Sequence, residues 1–146
     1  MTTPILRQNQ GAAITRTYAN SVANNAYSNS ADSLRVQNTA NALMVDFQLT
    51  GVSFATAPVG GTLQLVAVDR DTSGNQGPTP SATLQGKIVG NFMPTPQASN
   101  ASTGWIMTIL GVQATPDTDY WIFNNGTAYT LNSGCILAAQ LWTPGT

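Results

Sequence analysis

Two Asp-x-Asp pairs, Asp69-Arg70-Asp71 and Asp117-Thr118-Asp119, hold four of the six carboxylates in the chain and are its densest chemistry. Carboxylates two apart in an extended segment face the same side, so either pair could share a hard cation such as calcium. Such an ion takes roughly six to eight oxygens, however, and Asp is common at strand ends for ordinary reasons. As a general acid–base couple the pairs lack a neighbouring apolar pocket that would raise one pKa. Histidine is absent, which removes the commonest activator of a serine or cysteine nucleophile, and no Gly-x-Ser-x-Gly elbow occurs. Lys87 falls in an alternating stretch where a solvated side chain is expected. Cys135 lies in the apolar run CILAAQL, where an inert buried thiol is expected. Gly74 to Gly77 lacks the Gly-Lys-Ser/Thr ending of a phosphate loop. The expectation is a non-enzyme with no catalytic residues, no metal ligands and no cofactor.

The surroundings of these groups are nearly uncharged. Charged residues make up 8% of the 146 positions, against a typical ~25%, so Ser, Thr, Asn and Gln must solvate the surface. Such a surface costs less to desolvate than an ionic one, and a formal net charge of -1 gives little colloidal protection against association. The five basic residues form no cluster, so a nucleic acid backbone is not an expected partner. MTTPILRQNQ has no apolar core after a basic segment and does not read as a secretory signal. No apolar run reaches the ~18 residues that would suggest a membrane span.

Strand periodicity dominates the rest. Leu43, Val45, Phe47 and Leu49 alternate with Met44, Asp46, Gln48 and Thr50, placing Asp46 outward. Leu63, Leu65 and Ala67 share one parity. Leu84, Gly86, Ile88, Gly90 and Phe92 share another, across the linker TSGNQGPTPS, which can turn the chain but not extend a ladder. Gly104 to Leu110 is apolar on both parities, as in a strand covered on both faces or covered by a neighbouring subunit. Asn124-Asn125-Gly126-Thr127 favours a tight hairpin turn, with Ala128 to Leu131 returning as a short strand before Cys135 to Trp142. No helical stripe is present. The fold class is therefore all-β: an antiparallel β-sandwich, eight-stranded and most simply a jelly roll, over residues 42-146. Residues 1-41 are polar and read as an N-terminal arm with a short strand near Ser33 to Gln37. Such a segment is either a disordered tail or an arm that becomes ordered on a neighbouring subunit.

Aromatic residues are the remaining functional candidates. Tyr120 and Trp121 are adjacent, so in a strand they face opposite sides and one of them needs a cover or a partner. Beside Asp117, Asp119, Asn124 and Asn125 an exposed ring could stack on a sugar; the competing reading is core plus interface. Tyr18, Tyr27, Trp105, Tyr120, Trp121 and Trp142 are the candidate interface anchors, and Asp71, Asn75, Gln76, Gln97 and Asn100 the candidate contacts on the two long loops.

A small, charge-poor, His-free β domain with a polar N-terminal segment and loops such as DRDTSGNQGPTP and MPTPQASNASTG resembles the virion structural proteins of tailed bacteriophages, in particular jelly-roll decoration or cement proteins. The resemblance covers the chain in style and carries no diagnostic motif. It implies a virion location after assembly in the host cytoplasm, the major capsid protein as partner, a homo-oligomer (dimer or trimer), and no activity. The alternative is a receptor- or carbohydrate-binding module of a head fibre or tail.

Overall fold

Alternating apolar residues set the two inner faces of the molecule. The computed structural model describes residues 6–81, 86–94 and 106–145. These form β1 (Leu6–Asn9), β2 (Ile14–Thr17), β3 (Ala26–Tyr27), β4 (Leu34–Gln37), β5 (Met44–Thr50), β6 (Thr62–Asp69), β7 (Lys87–Phe92), β8 (Ile106–Gln113), β9 (Asp117–Asn125) and β10 (Ile136–Gly145). One 3-10 turn, Ser30–Asp32, interrupts the strands. Sheet 1 has the order β1-β10-β5-β8, with β2 also on β10; sheet 2 has the order β3-β9-β6-β7, with β4 also on β9. Every pairing is antiparallel. The two sheets pack face to face as an all-β sandwich.

Val45, Phe47 and Leu49 from β5, Leu137, Ala139 and Leu141 from β10, Leu63 and Leu65 from β6, and Tyr120 and Ile122 from β9 meet in one core. The rings of Phe47 and Tyr120 lie 4.5 Å apart across it. Cys135 is fully buried there, and loss of solvation pushes its thiol up to about 12, so it stays protonated and unreactive.

The strand count differs from the expectation of eight, because ten segments form among the described residues. The described part of the N-terminal segment is no free arm. β1 and β2 pair with β10, β3 and β4 pair with β9, and Tyr18, Val22, Leu34 and Val36 are core residues. Sparse but well-spaced apolar anchors suffice when each one lands on an inner face. Asp32, also buried, accepts from the backbone N–H groups of Ala19 and Asn20 at 3.0 Å each and fixes the corner between β2 and β3.

Two other local expectations fail for identifiable reasons. The parity of the 84–92 stretch breaks at a bulge, where Leu65 pairs with Gly90 but Val66 pairs with Ile88. Ile88 therefore turns outward, 51% exposed, and Val89 packs on the core in its place. After Gly126 no return strand forms; Leu131 makes only isolated bridges to Val22 and Phe54. The Asn124 amide donates to the carbonyls of Val22 and Tyr129, and this inward tie holds the chain in a compact loop instead of a hairpin.

Gly90 lets the two sheets approach at their β7–β8 side, since a Cβ there would lie 2.8 Å from Ile109 side-chain atoms. Gly90→Ala is expected to destabilise by about 1–3 kcal/mol through overpacking, read as a lower urea midpoint with unchanged slope. Gly90→Ala combined with Ile109→Val should recover part of it.

Candidate interaction surfaces

The two outward faces of the sandwich are built differently. On sheet 1 the register aligns Thr17, Ile136, Thr50 and Ile106 in one cross-strand row and Thr15, Ala138, Gln48 and Thr108 in the next. No described loop residue buries these rows: Ile106 is 63% exposed and Thr108 and Gln48 are exposed. The face carries no charge across both rows.

At one end of that face sits Asp46, outward as its parity predicts yet buried. Its Oδ1 accepts from Gly111 N at 2.7 Å and from the Trp142 indole Nε1 at 2.9 Å, and its Oδ2 accepts from Arg7. The ladder explains how a strand residue acquires so many donors. Val45 pairs with Val112 and Phe47 with Ile109, so Leu110 and Gly111 bulge opposite Asp46 and turn a backbone N–H towards it. Gly111 adopts the positive φ (69°) that this geometry favours. The Arg7 guanidinium also lies over the Trp142 ring, 5.2 Å from its centroid. One carboxylate thus fastens β1, β8 and β10 together.

The outward face of sheet 2 is covered by the chain itself. Val66 and Trp121, paired across β6 and β9, are each 1% exposed. The segment after β6 turns back over them: Gly77 and Gly86 approach the Val68 and Val66 side chains so closely that a Cβ on either would lie 2.6 Å from a methyl group. Pro80, within this segment, is buried. The turn that starts the segment is built by Asp71, whose Oδ1 accepts from Ser73 N and Asn75 N at 2.9 and 2.8 Å, while Asn75 Nδ2 donates to Oδ2 at 2.8 Å. These bonds, led by the Asn75 side chain, hold the Asp71 carboxyl below the ordinary carboxylate range.

Both Asp-x-Asp pairs come to this end of sheet 2, where guanidinium groups occupy the place a cation would take. Arg35 grips Asp117 with two bonds, Nε to Oδ1 at 2.9 Å and Nη2 to Oδ2 at 2.6 Å. Arg70 donates from Nη2 to Asp119 Oδ1 at 3.0 Å and from Nη1 to Gly74 O at 2.9 Å. Asp69 accepts from the Thr118 hydroxyl at 2.7 Å. Among the described residues no group of three or more His, Cys, Asp or Glu side chains could hold a metal ion.

The hydrogen bonds from Arg35 hold the Asp117 carboxyl below its ordinary range. Its folded-state pKa therefore lies below the unfolded one, so the contribution is fully present above the unfolded value, ~3.9, and is lost as pH falls through the depressed folded value. Urea midpoints of the wild type and Arg35→Ala are expected to differ slightly near neutrality, because the Arg35 side chain is 42% exposed and water screens the pair, and to converge in acid.

A groove of about 560 Å³ runs along the rim of the covered face, between β3 and the segment around Pro80. Tyr27 and Phe123, paired across β3 and β9, place their ring centroids 4.6 Å apart at 39° along it. Asn25, Ser28, Asn29, Ser30, Thr79 and Ser81 supply its polar lining, and none of its lining residues is charged. The chain uses the amide oxygens of Asn25 and Asn29, which accept from Gly126 N at 3.0 Å and Ala31 N at 2.9 Å. Loss of solvation raises the Tyr27 phenol above its ordinary pKa, so it remains a neutral hydroxyl.

The residues singled out in sequence thus separate. Tyr18, Tyr120 and Trp121, at 1%, 2% and 1% exposure, are enclosed by the chain and are not interface anchors. Trp121 in particular offers no ring to a sugar. Trp142 and Tyr27 are half-buried and present part of their surface. Asp71 and Asn75 are exposed but committed to their turn, and Gln76 is exposed. Trp105, Gln97 and Asn100 lie outside the described residues. Sequence reasoning missed the Asp46 fastening and the groove, whose members are far apart along the chain. The outward parity of Asp46 in a mostly apolar stretch was the only signal available in the sequence. The chain matches no protein-family model, no curated protein and no solved structure.

Proposed function

We propose that the protein is a non-enzymatic structural component of a bacteriophage virion, a decoration or cement protein that binds the outer capsid surface through the bare face of sheet 1. The observation that carries this reading is the contrast between the two faces. Sheet 2 is roofed by its own loop, whereas sheet 1 leaves two cross-strand rows of Thr, Ile, Ala and Gln uncharged and uncovered by any described loop. Neutral polar and apolar groups are the least costly to desolvate repeatedly, and many modest contacts over a lattice give strong retention through effective concentration.

The topology supports the same assignment. With β1 and β2 taken as one row on β10, and β3 and β4 as one row on β9, the rows in chain order run 1-8-3-6 in one sheet and 2-7-4-5 in the other. We read that order as an eight-row jelly roll, an architecture used by viral capsid and lectin domains. The partners in this reading are the major capsid protein and further copies of the chain, as a dimer or trimer; nucleic acid and membrane play no direct part, and the site of action is the virion.

The test is retention on purified particles. The protein should cosediment with phage capsids lacking it, and Thr108→Lys on the bare face should lower retention roughly tenfold or more while leaving the melting temperature unchanged. Absence from particles, or retention indifferent to Thr108→Lys, would overturn the reading. A second reading, a receptor- or carbohydrate-binding module, is favoured by the aromatic groove at Tyr27 and Phe123.

A further inference from the structure

The geometry points to the Tyr27–Phe123 groove as a binding site for a short neutral glycan, stacked on the Tyr27 ring. This inference rests on the carbohydrate-binding reading and gives it a place and a ligand class. Three observations specify the class. The first is charge: every lining residue is neutral, although the ionic cluster of Arg35, Asp117, Arg70 and Asp119 lies on the same face of the same sheet. An anionic ligand such as a sialylated sugar or a phosphate would find no countercharge, and a cationic one no carboxylate.

The second is the aromatic platform. Sugars present an apolar face of C–H groups edged by hydroxyls, and a half-buried tyrosine offers a ring for that face and a hydroxyl for the edge. Phe123, tilted against Tyr27 at 4.6 Å, sets the orientation of the ring. The third is the set of spare hydrogen-bonding groups. With their oxygens engaged by Gly126 and Ala31, the Asn25 and Asn29 amides keep their NH₂ donors without a partner among the described residues, as does the Tyr27 hydroxyl. Donors held in place by bonds through the other end of the same amide match a ligand rich in hydroxyl acceptors, and the volume is that of a small-ligand site.

The experiment uses the full chain on an array of neutral and sialylated glycans, followed by calorimetric titration with the neutral glycan retained most strongly. Neutral glycans are expected to be held and sialylated ones not preferred. Tyr27→Ala should weaken binding roughly tenfold or more, and Tyr27→Phe should retain most of it. Thr79→Arg, on the exposed side of the groove, brings in bulk and charge and should abolish binding even if Tyr27→Ala fails to fold. Undiminished binding by Thr79→Arg and by any folded Tyr27→Ala would overturn the groove while leaving the carbohydrate reading standing. Retention of charged glycans alone would overturn the ligand class. No retained glycan at all would overturn the carbohydrate reading itself.

Discussion

Trp121→Ala is expected to destabilise the protein by about 3–5 kcal/mol, the usual cost of emptying a large buried aromatic site. For a chain of this size that is a fall in melting temperature of roughly 6–20 °C, measurable by scanning calorimetry. The ring is 1% exposed on the outward side of sheet 2, across from Val66, whose side chain Gly86 approaches from the covering side. Its removal should also loosen that cover, so proteolysis near Thr72 to Ser81 should accelerate more than global unfolding requires. Trp121→Phe separates packing from hydrogen bonding. The indole N–H is buried with no partner among the described residues, so the phenylalanine variant gives up volume only and should lie well above the alanine one in stability. Equal losses in the two variants would mean that the indole nitrogen is satisfied after all.

The second large effect is expected at Asp46. Asp46→Ala leaves Gly111 N–H and the Trp142 indole N–H without their acceptor, and each orphaned, partly buried donor costs about 1–3 kcal/mol. Arg7 adds little, because its side chain is 44% exposed and water can solvate it once released. A total of about 2–6 kcal/mol is expected from urea unfolding. Arg7→Ala alone should cost under about 1 kcal/mol, and the double variant should resemble Asp46→Ala. A large loss in Arg7→Ala would show that the ion pair, and not the two N–H bonds, carries the cluster.

The comparison of sequence with structure turns on distance along the chain. Periodicity is local, so Val45, Phe47 and Leu49 disclosed β5 and its inner face without help, and Leu63 and Leu65 did the same for β6. The sandwich followed from several such runs. What periodicity does not contain is partnership. Leu34 and Val36 are as regular as any pair in the chain, but their value depends on β9, whose paired residues begin some eighty positions later. A polar segment with few anchors therefore read as an arm. Bulges are invisible in the same way, since the extra residue opposite Asp46 is defined only once β5 and β8 are side by side. Trp121 shows the limit for function: alternation set it opposite Tyr120 without saying which of the two faces outward, and no local pattern shows that the outward ring is buried.

The interruption between β1 and β2 has its own effect on how the molecule breathes. Both strands hang on one side of β10, but Gly11 at φ 77° divides them, so the hydrogen bonds from Leu6–Asn9 and those from Ile14–Thr17 act as separate fasteners. The outer one unclips first. Amide exchange should accordingly show Gln8 and Gln10, whose N–H groups face β10, surrendering their protons well before Arg16 and Tyr18, with Trp142 briefly wetted each time, while the remainder of the body stays shut.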